Sequence, residues 1–172
     1  MHTGAVSSRV QIRPGSVDGH ALLREMVAEL TGLDVATIAI TASCPDCGGT
    51  HGRPTVVGHP ELHVSLARTP GYVVAAVSGG ASSKGGGPIG VDVELIAGSP
   101  ERAAAVGALT GIQSLTHWTR VEAVLKADGR GLRVDPALVQ VNGDIATLEG
   151  VRYRLSSLDL DSAVVVTLAE RL

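Results

Sequence analysis

The sequence predicts an α+β fold, and three observations carry that expectation. Stretches with helical spacing and stretches with strand alternation both occur, but without the regular βαβ order of a parallel sheet. The cleanest alternation, Ile89 to Leu95, stands directly ahead of two helical stretches. The last part, Ala137 to Ala169, reads as strands around a turn.

Taken in order, residues 19–31 form an amphipathic helix, because Leu22, Leu23, Met26, Val27 and Leu30 fall on one face, with Asp18 as cap and Gly32 as stop. A turn-rich segment from Cys44 to Pro54 follows. Short strands are expected at Leu62–Leu66 and Tyr72–Val77. Ser78 to Pro88 holds five glycines and three serines and reads as a loop. It is not a phosphate-binding P-loop, since Ser83 precedes Lys84 where that motif needs glycine. In Ile89–Leu95, Ile89, Val91, Val93 and Leu95 face one way and Gly90, Asp92 and Glu94 the other. Ser99 and Pro100 open a helix to about Leu109, and a second runs from about Thr116 to Asp128, ending at Gly129. Strands are expected at Ala137–Val141, then, after the turn signal Asn142-Gly143, at Val151–Leu155 and Ala163–Leu168. The 172 residues are read as one compact unit of two halves, 1–87 and 88–172.

Composition narrows the function. Hydrophobic residues make up 44% of the chain without one Phe, so the core must be built from Val, Leu, Ile and Ala. Trp118, Tyr72 and Tyr153 are the only aromatics, too few for a base-stacking platform, and a net charge of −3 gives no basic field. Neither nucleic acid nor a membrane is an expected partner. No run approaches the roughly 18 apolar residues of a membrane span, and Met1 to Pro14 lacks a signal peptide's apolar stretch, so a cytoplasmic location is expected.

The chemistry-bearing residues fall into two groups. Asp92 and Glu94 project from one strand face, and Glu122 and Lys126 lie four apart on a helix. Each has an ordinary alternative: Asp92 and Glu94 could be the solvated face of an edge strand, and Glu122 could pair with Lys126 for about 0.3–0.5 kcal/mol or close a capping box with Thr119. Together, three carboxylates and a lysine suit Mg²⁺ on a pyrophosphate, since Mg²⁺ takes a few carboxylates, water and substrate phosphates. The second group is Cys44 and Cys47, a CxxC pair that with His51 and one of His59 or His63 could bind zinc. A redox role is the weaker reading, because no thioredoxin-like βαβ pattern surrounds the pair.

Pro88-Ile-Gly-Val-Asp-Val-Glu94 resembles the first signature of the 4′-phosphopantetheinyl transferases, Ile/Val-Gly-Ile/Val-Asp-x-Glu. Trp118-Thr-Arg-Val-Glu-Ala-Val-Leu-Lys126 resembles their second, Trp-x-x-Lys-Glu-Ala-x-x-Lys. Cys44 to Pro54 is similar to a segment ending in Gly-Lys/Arg-Pro in the longer class of that family, and His63-Val-Ser-Leu-Ala-Arg-Thr69 stands where that class reads His-x-Ser-x-Ser-His-Thr. The order of all four agrees. The resemblance implies a pseudo-two-fold α+β fold, a monomer, and transfer of phosphopantetheine from coenzyme A to a serine of an acyl or peptidyl carrier protein, of the kind tied to polyketide or non-ribosomal peptide synthesis. By the same resemblance Asp92, Glu94 and Glu122 match the ligands of Mg²⁺ (or Mn²⁺), Glu122 the base, and Lys126 the residue that steadies the leaving phosphate. Arg53 matches a contact to coenzyme A. Read from the residues themselves, Arg120, Arg130 and Arg133, on or just after the second-signature helix, could receive an acidic carrier, with a solvated helix end as the ordinary alternative for each.

The sequence also departs from the family pattern. Val121 stands in place of the first lysine of the second signature, and Ala67 and Arg68 replace the Ser and His that hold the 3′-phosphate of coenzyme A. Arg68 is itself suited to that phosphate by charge. A catalytically silent relative that binds a carrier or coenzyme A is the alternative reading.

Overall fold

The computed structural model describes residues 8–79 and 86–172. Most of the glycine-rich stretch, including Lys84, and the first seven residues lie outside them. The fold is α+β, as expected. Its elements are β1 (Arg9–Pro14), α1 (Gly19–Thr31), β2 (Ile40–Ala42), β3 (Pro54–Val56), β4 (Leu62–Thr69), β5 (Tyr72–Gly79), β6 (Ile89–Leu95), α2 (Pro100–Thr110), α3 (Leu115–Asp128), β7 (Gln140–Asn142), β8 (Ile145–Leu148), β9 (Val151–Leu158) and β10 (Val164–Arg171). A three-stranded sheet runs in the order β1-β5-β4, a five-stranded sheet in the order β6-β10-β9-β8-β7, and β2 and β3 form a separate ribbon. Every pairing is antiparallel. No helix among the described residues is long and apolar enough to cross a membrane.

Three apolar clusters hold these elements. One lies under α1, where Leu22, Leu23, Met26 and Val27 meet Leu62, Val64, Val73, Ala75 and Val77 of β4 and β5. A second lies under α3, where Trp118, Val121, Val124 and Leu125 meet Ala146, Leu148, Tyr153 and Leu155. The third joins the halves: Ala67, Val74 and Ala76 pack against Ile89, Val91, Val93, Val166 and Leu168. There β4 lies beside β6, and the Val91 N–H donates to Ser65 Oγ at 3.0 Å.

Helix ends follow from local chemistry. Asp18 caps α1 by accepting from His20 N, and Ser99 caps α2 by accepting from Arg102 N. Gly32, Gly111 and Gly129 close the three helices in the left-handed conformation. For α3 the cap is Ser114, which accepts from His117 N. Glu122 therefore lies well inside the helix and closes no capping box; the Thr119 hydroxyl bonds instead to Thr116 O and Thr167 Oγ1, each at 2.9 Å.

Two further expectations are corrected. The strand read at Ala137–Val141 begins only at Gln140, because Asp135 caps Ala137 N and Pro136 opens a single 3₁₀ turn, Pro136–Leu138. The hairpin turn falls one residue later than Asn142-Gly143: Asn142 pairs with Ile145, leaving Gly143 and Asp144 as the loop, with Gly143 at φ 56°. Strands β1, β2, β3 and β8 were not marked by the sequence pattern, and β4, β5, β9 and β10 extend two or three residues past the expected ends.

Candidate functional site: a buried carboxylate cluster beside a cationic cavity

The strand alternation delivers Asp92 and Glu94 to the face of β6 that α3 covers. Gly90 makes that approach possible, since a Cβ there would collide with Ala123 O and lie 2.5 Å from Ala127 N. Although β6 ends its own sheet, Asp92 is only 4% exposed and Glu94 8%, so the solvated-edge alternative does not hold.

Helical spacing brings Glu122 and Lys126 to the same seam. Lys126 Nζ donates to Asp92 Oδ1 at 2.7 Å and to Val91 O at 3.1 Å, and lies 3.7 Å from Glu122 Oε2. Burial is the main force on Asp92: it pushes the carboxyl up to about 7, against the pull of Lys126 and with a further push from Glu122. Asp92 Oδ2 is buried without a hydrogen-bond partner.

Glu94 is held differently. Arg102, in the first turn of α2, donates to Glu94 Oε1 through Nε at 3.2 Å and through Nη2, and its guanidinium stands 5.9 Å from the centre of the Trp118 ring. That contact raises the Arg102 guanidinium further above its usual range. Arg102 went unmarked in the sequence. A signal was present: α2 begins five residues after β6 ends, so its first turn doubles back over the strand's last carboxylate.

Asp92, Glu94 and Glu122 thus share one seam but do not converge on one point. Among the described residues the only three ligand atoms within 4.8 Å of one another belong to Cys44, Cys47 and His51. The seam still fits Mg²⁺ in chemistry, with three hard carboxylates and one orphaned, buried oxygen on Asp92. Glu94 can join such a set only when Arg102 releases it.

Beside this seam lies a cavity of about 520 Å³ between the Cys44–Pro54 segment, β4 and the chain following α3. Arg53, Lys126, Arg130 and Arg133 line it, with Asp46 as the one carboxylate in its wall among the described residues. Burial lowers the Arg53 guanidinium from its usual range, and Asp128 opposes that effect. Arg130 is anchored by Asp128 (2.6 Å) and Glu149 (2.8 Å), and Arg133 lies 3.9 Å from Asp46. Lys126 belongs both to the cavity wall and to the carboxylate seam.

Three other residues singled out in the sequence lie elsewhere. Arg120 reaches from α3 to Gly143 O (3.1 Å) and Asp144 (3.4 Å), tying the helix to the β7–β8 turn. Val121 is fully buried in the core under α3, so a side chain there reaches no ligand. Arg68 is exposed and absent from the cavity wall; its Nη2 lies 2.6 Å from where a Cβ on Gly19 would stand, at the start of α1.

In the second group, Cys44 is buried and Cys47 exposed, both are free thiols, and Cys47 Sγ lies 3.0 Å from His51 Nε2. Backbone N–H groups of Asp46 and then Cys47 hold the Cys44 thiol below its usual range. Neither His59 nor His63 joins them. His59 pairs with Glu61 at 3.1 Å, and burial, then Arg53, lowers His63.

Comparison with protein-family models and with curated proteins returned no match.

Proposed function

We propose that this chain is a Mg²⁺-dependent 4′-phosphopantetheinyl transferase, acting as a cytoplasmic monomer on an acyl or peptidyl carrier protein. One observation carries the reading: Lys126 links a buried carboxylate seam to a cavity walled by arginines. Coenzyme A is a polyanion whose pyrophosphate must lie near both hard-metal ligands and cations, and that juxtaposition provides them.

In this reading Arg53 and Arg130 bind the phosphates of coenzyme A. Glu122, half-buried, takes the proton of the carrier serine as its hydroxyl oxygen attacks the phosphorus that bears the pantetheine arm. The bond from that phosphorus to the bridging oxygen breaks, and Lys126 neutralises the charge on departing adenosine 3′,5′-bisphosphate. Asp92, Glu94 and Glu122 would hold Mg²⁺ or Mn²⁺, which supplies charge neutralisation on the pyrophosphate.

A specific contact favours a second reading. Arg102 already satisfies Glu94, as expected of a silent relative that binds coenzyme A or a carrier without turnover. Incubation with coenzyme A, Mg²⁺ and a panel of apo carrier proteins, each then weighed by mass spectrometry, separates the two. The expected result is a phosphopantetheine adduct with Mg²⁺ or Mn²⁺ and none in EDTA. Coenzyme A binding without any adduct on any carrier establishes the silent reading, and full activity in chelator removes the metal from the mechanism.

A further inference from the structure

We propose that Cys44, Cys47 and His51 form a zinc site, with the fourth position left to water. Such a site does not depend on the transferase reading. The two sulfurs and a ring nitrogen of His51 lie within 4.8 Å of one another. Two thiolates and an imidazole are a soft donor set that selects zinc and disfavours Mg²⁺. Three protein ligands are one short of the closed structural arrangement, which leaves an open position. Cys44, Asp46 and His51 all line the cavity, so that position has access to solvent and to small ligands.

The local backbone is shaped around these three donors. Cys44 N donates to Gly49 O at 2.8 Å and Gly48 N to Cys44 O at 2.8 Å, closing a tight turn over the CxxC pair. Gly48 sits at φ 71°, a conformation that a side chain resists. Gly49 N–H donates to Cys47 Sγ at 3.4 Å, the kind of bond that supports a thiolate ligand. A Cβ on Gly49 would stand 3.1 Å from His51 Cδ2 and 3.2 Å from Cys47 Sγ, crowding the donor cluster itself. At Gly52 a Cβ would collide with Ser43 O, so glycine there lets the two arms of the loop close.

Hydrophobic packing accounts for only part of this order, since of the three ligands Cys44 alone is buried. Cys47 and His51 are exposed, and none of the three ligands belongs to any of the apolar clusters. A metal ion is the ordinary staple for such a loop. It would also fix Arg53, two residues beyond His51, whose Nη1 lies 2.6 Å from where a Cβ on Gly129 would stand, at the end of α3.

The test is metal content of the tag-free full chain, reduced, loaded with zinc and passed over a mild chelating resin. About one zinc per chain is expected for wild type, with loss of at least about tenfold in Cys47→Ser and in His51→Ala. Replacing zinc by cobalt should give the intense visible bands of a four-coordinate site and a thiolate charge-transfer band, both absent from the two variants. Circular dichroism checks that the variants fold. If either does not, zinc protection of the wild-type thiols against a thiol-reactive dye decides in its place. A reduced wild type that retains no zinc and shows no such bands overturns the proposal. So does a folded His51→Ala that keeps its full zinc content, or a chain that is isolated with a Cys44–Cys47 disulfide and takes up no metal after reduction.

Discussion

The two halves finish the same construction, a helix laid on an antiparallel sheet, in different ways. Under α1 the seam is apolar throughout, built on Leu22, Leu23, Met26 and Val27. Under α3 an apolar seam of the same kind continues into a charged one, where Asp92, Glu94, Glu122, Lys126 and Arg102 meet. The first half demonstrates that a helix and sheet of this size close with hydrocarbon alone. Buried ion pairs commonly add little or nothing over apolar groups of the same volume, because desolvation offsets the attraction. Folding therefore gives little reason for the charges under α3, and an Asp92 carboxyl that burial pushes up to about 7, its Oδ2 receiving no donor from the chain and facing Glu122, is a cost to stability. Activity is where such a cost is expected to be repaid.

The largest effect should come from carrying charge into the apolar part of the α3 seam. Val121→Lys restores the residue usual in the resembling family, but Val121 has no exposed surface and sits among Trp118, Val124 and Leu125. We expect a loss of about 3–5 kcal/mol, the range for an uncompensated buried charge. At about 2–4 °C per kcal/mol for a chain of this size, a thermal melt resolves it easily. A variant of undiminished stability with tighter coenzyme A binding would show that this side chain reaches the cavity, and would break the division of the seam.

The converse substitution sharpens the comparison. Glu122→Gln keeps volume and lies in the interior of α3, outside its cap, so stability should change by less than about 1 kcal/mol. If the proposed reaction holds, turnover should fall about a hundredfold, roughly 2.7 kcal/mol, because the group proposed to accept the serine proton is gone. Single-turnover transfer measured beside the melting temperature checks both. A lower melting temperature with an unchanged rate would make the charged seam a structural device after all.

What the sequence revealed and what it withheld divide along physical lines. Helices α1 and α2 and strand β6 were legible because their caps and apolar periods are local, α3 by its spacing and its stop at Gly129 though not by its cap Ser114, and so was the placement of Asp92, Glu94, Glu122 and Lys126 at one seam. The strands β2, β3 and β8 span only three or four residues, too short for alternation to register. Arg102 could be found only from the short link between β6 and α2, because its partner is set by the path of the chain there. The CxxC spacing pointed to the Cys44–Cys47–His51 cluster, while the fourth ligand sought in His59 or His63 was not found, since loop closure is fixed by turns that leave those rings elsewhere. Arg68 stands away from the cavity wall for a related reason. Both faces of β4 are covered, one by α1 and the other by β6, so alternation alone could not say which face Arg68 would take.

The smallest expected effect concerns that residue. A guanidinium at this position is chemically suited to the 3′-phosphate of coenzyme A, and a hydrogen bond to a charged group of that kind is worth about 1.5–3 kcal/mol. Its location argues otherwise: Arg68 is exposed at the start of α1 and takes no part in the cavity wall, where Arg53, Lys126, Arg130 and Arg133 gather. Arg68→Ala should therefore change the affinity for coenzyme A by less than about 0.5 kcal/mol, the usual range for a surface substitution, and should change that for dephospho-coenzyme A equally. Arg53→Ala, measured alongside by calorimetry, serves as the positive control and should weaken binding of both. If removing Arg68 instead weakens coenzyme A selectively, the 3′-phosphate must reach around β4 to the α1 side. The apolar half would then own part of the ligand site, and the contrast between the two halves would fail.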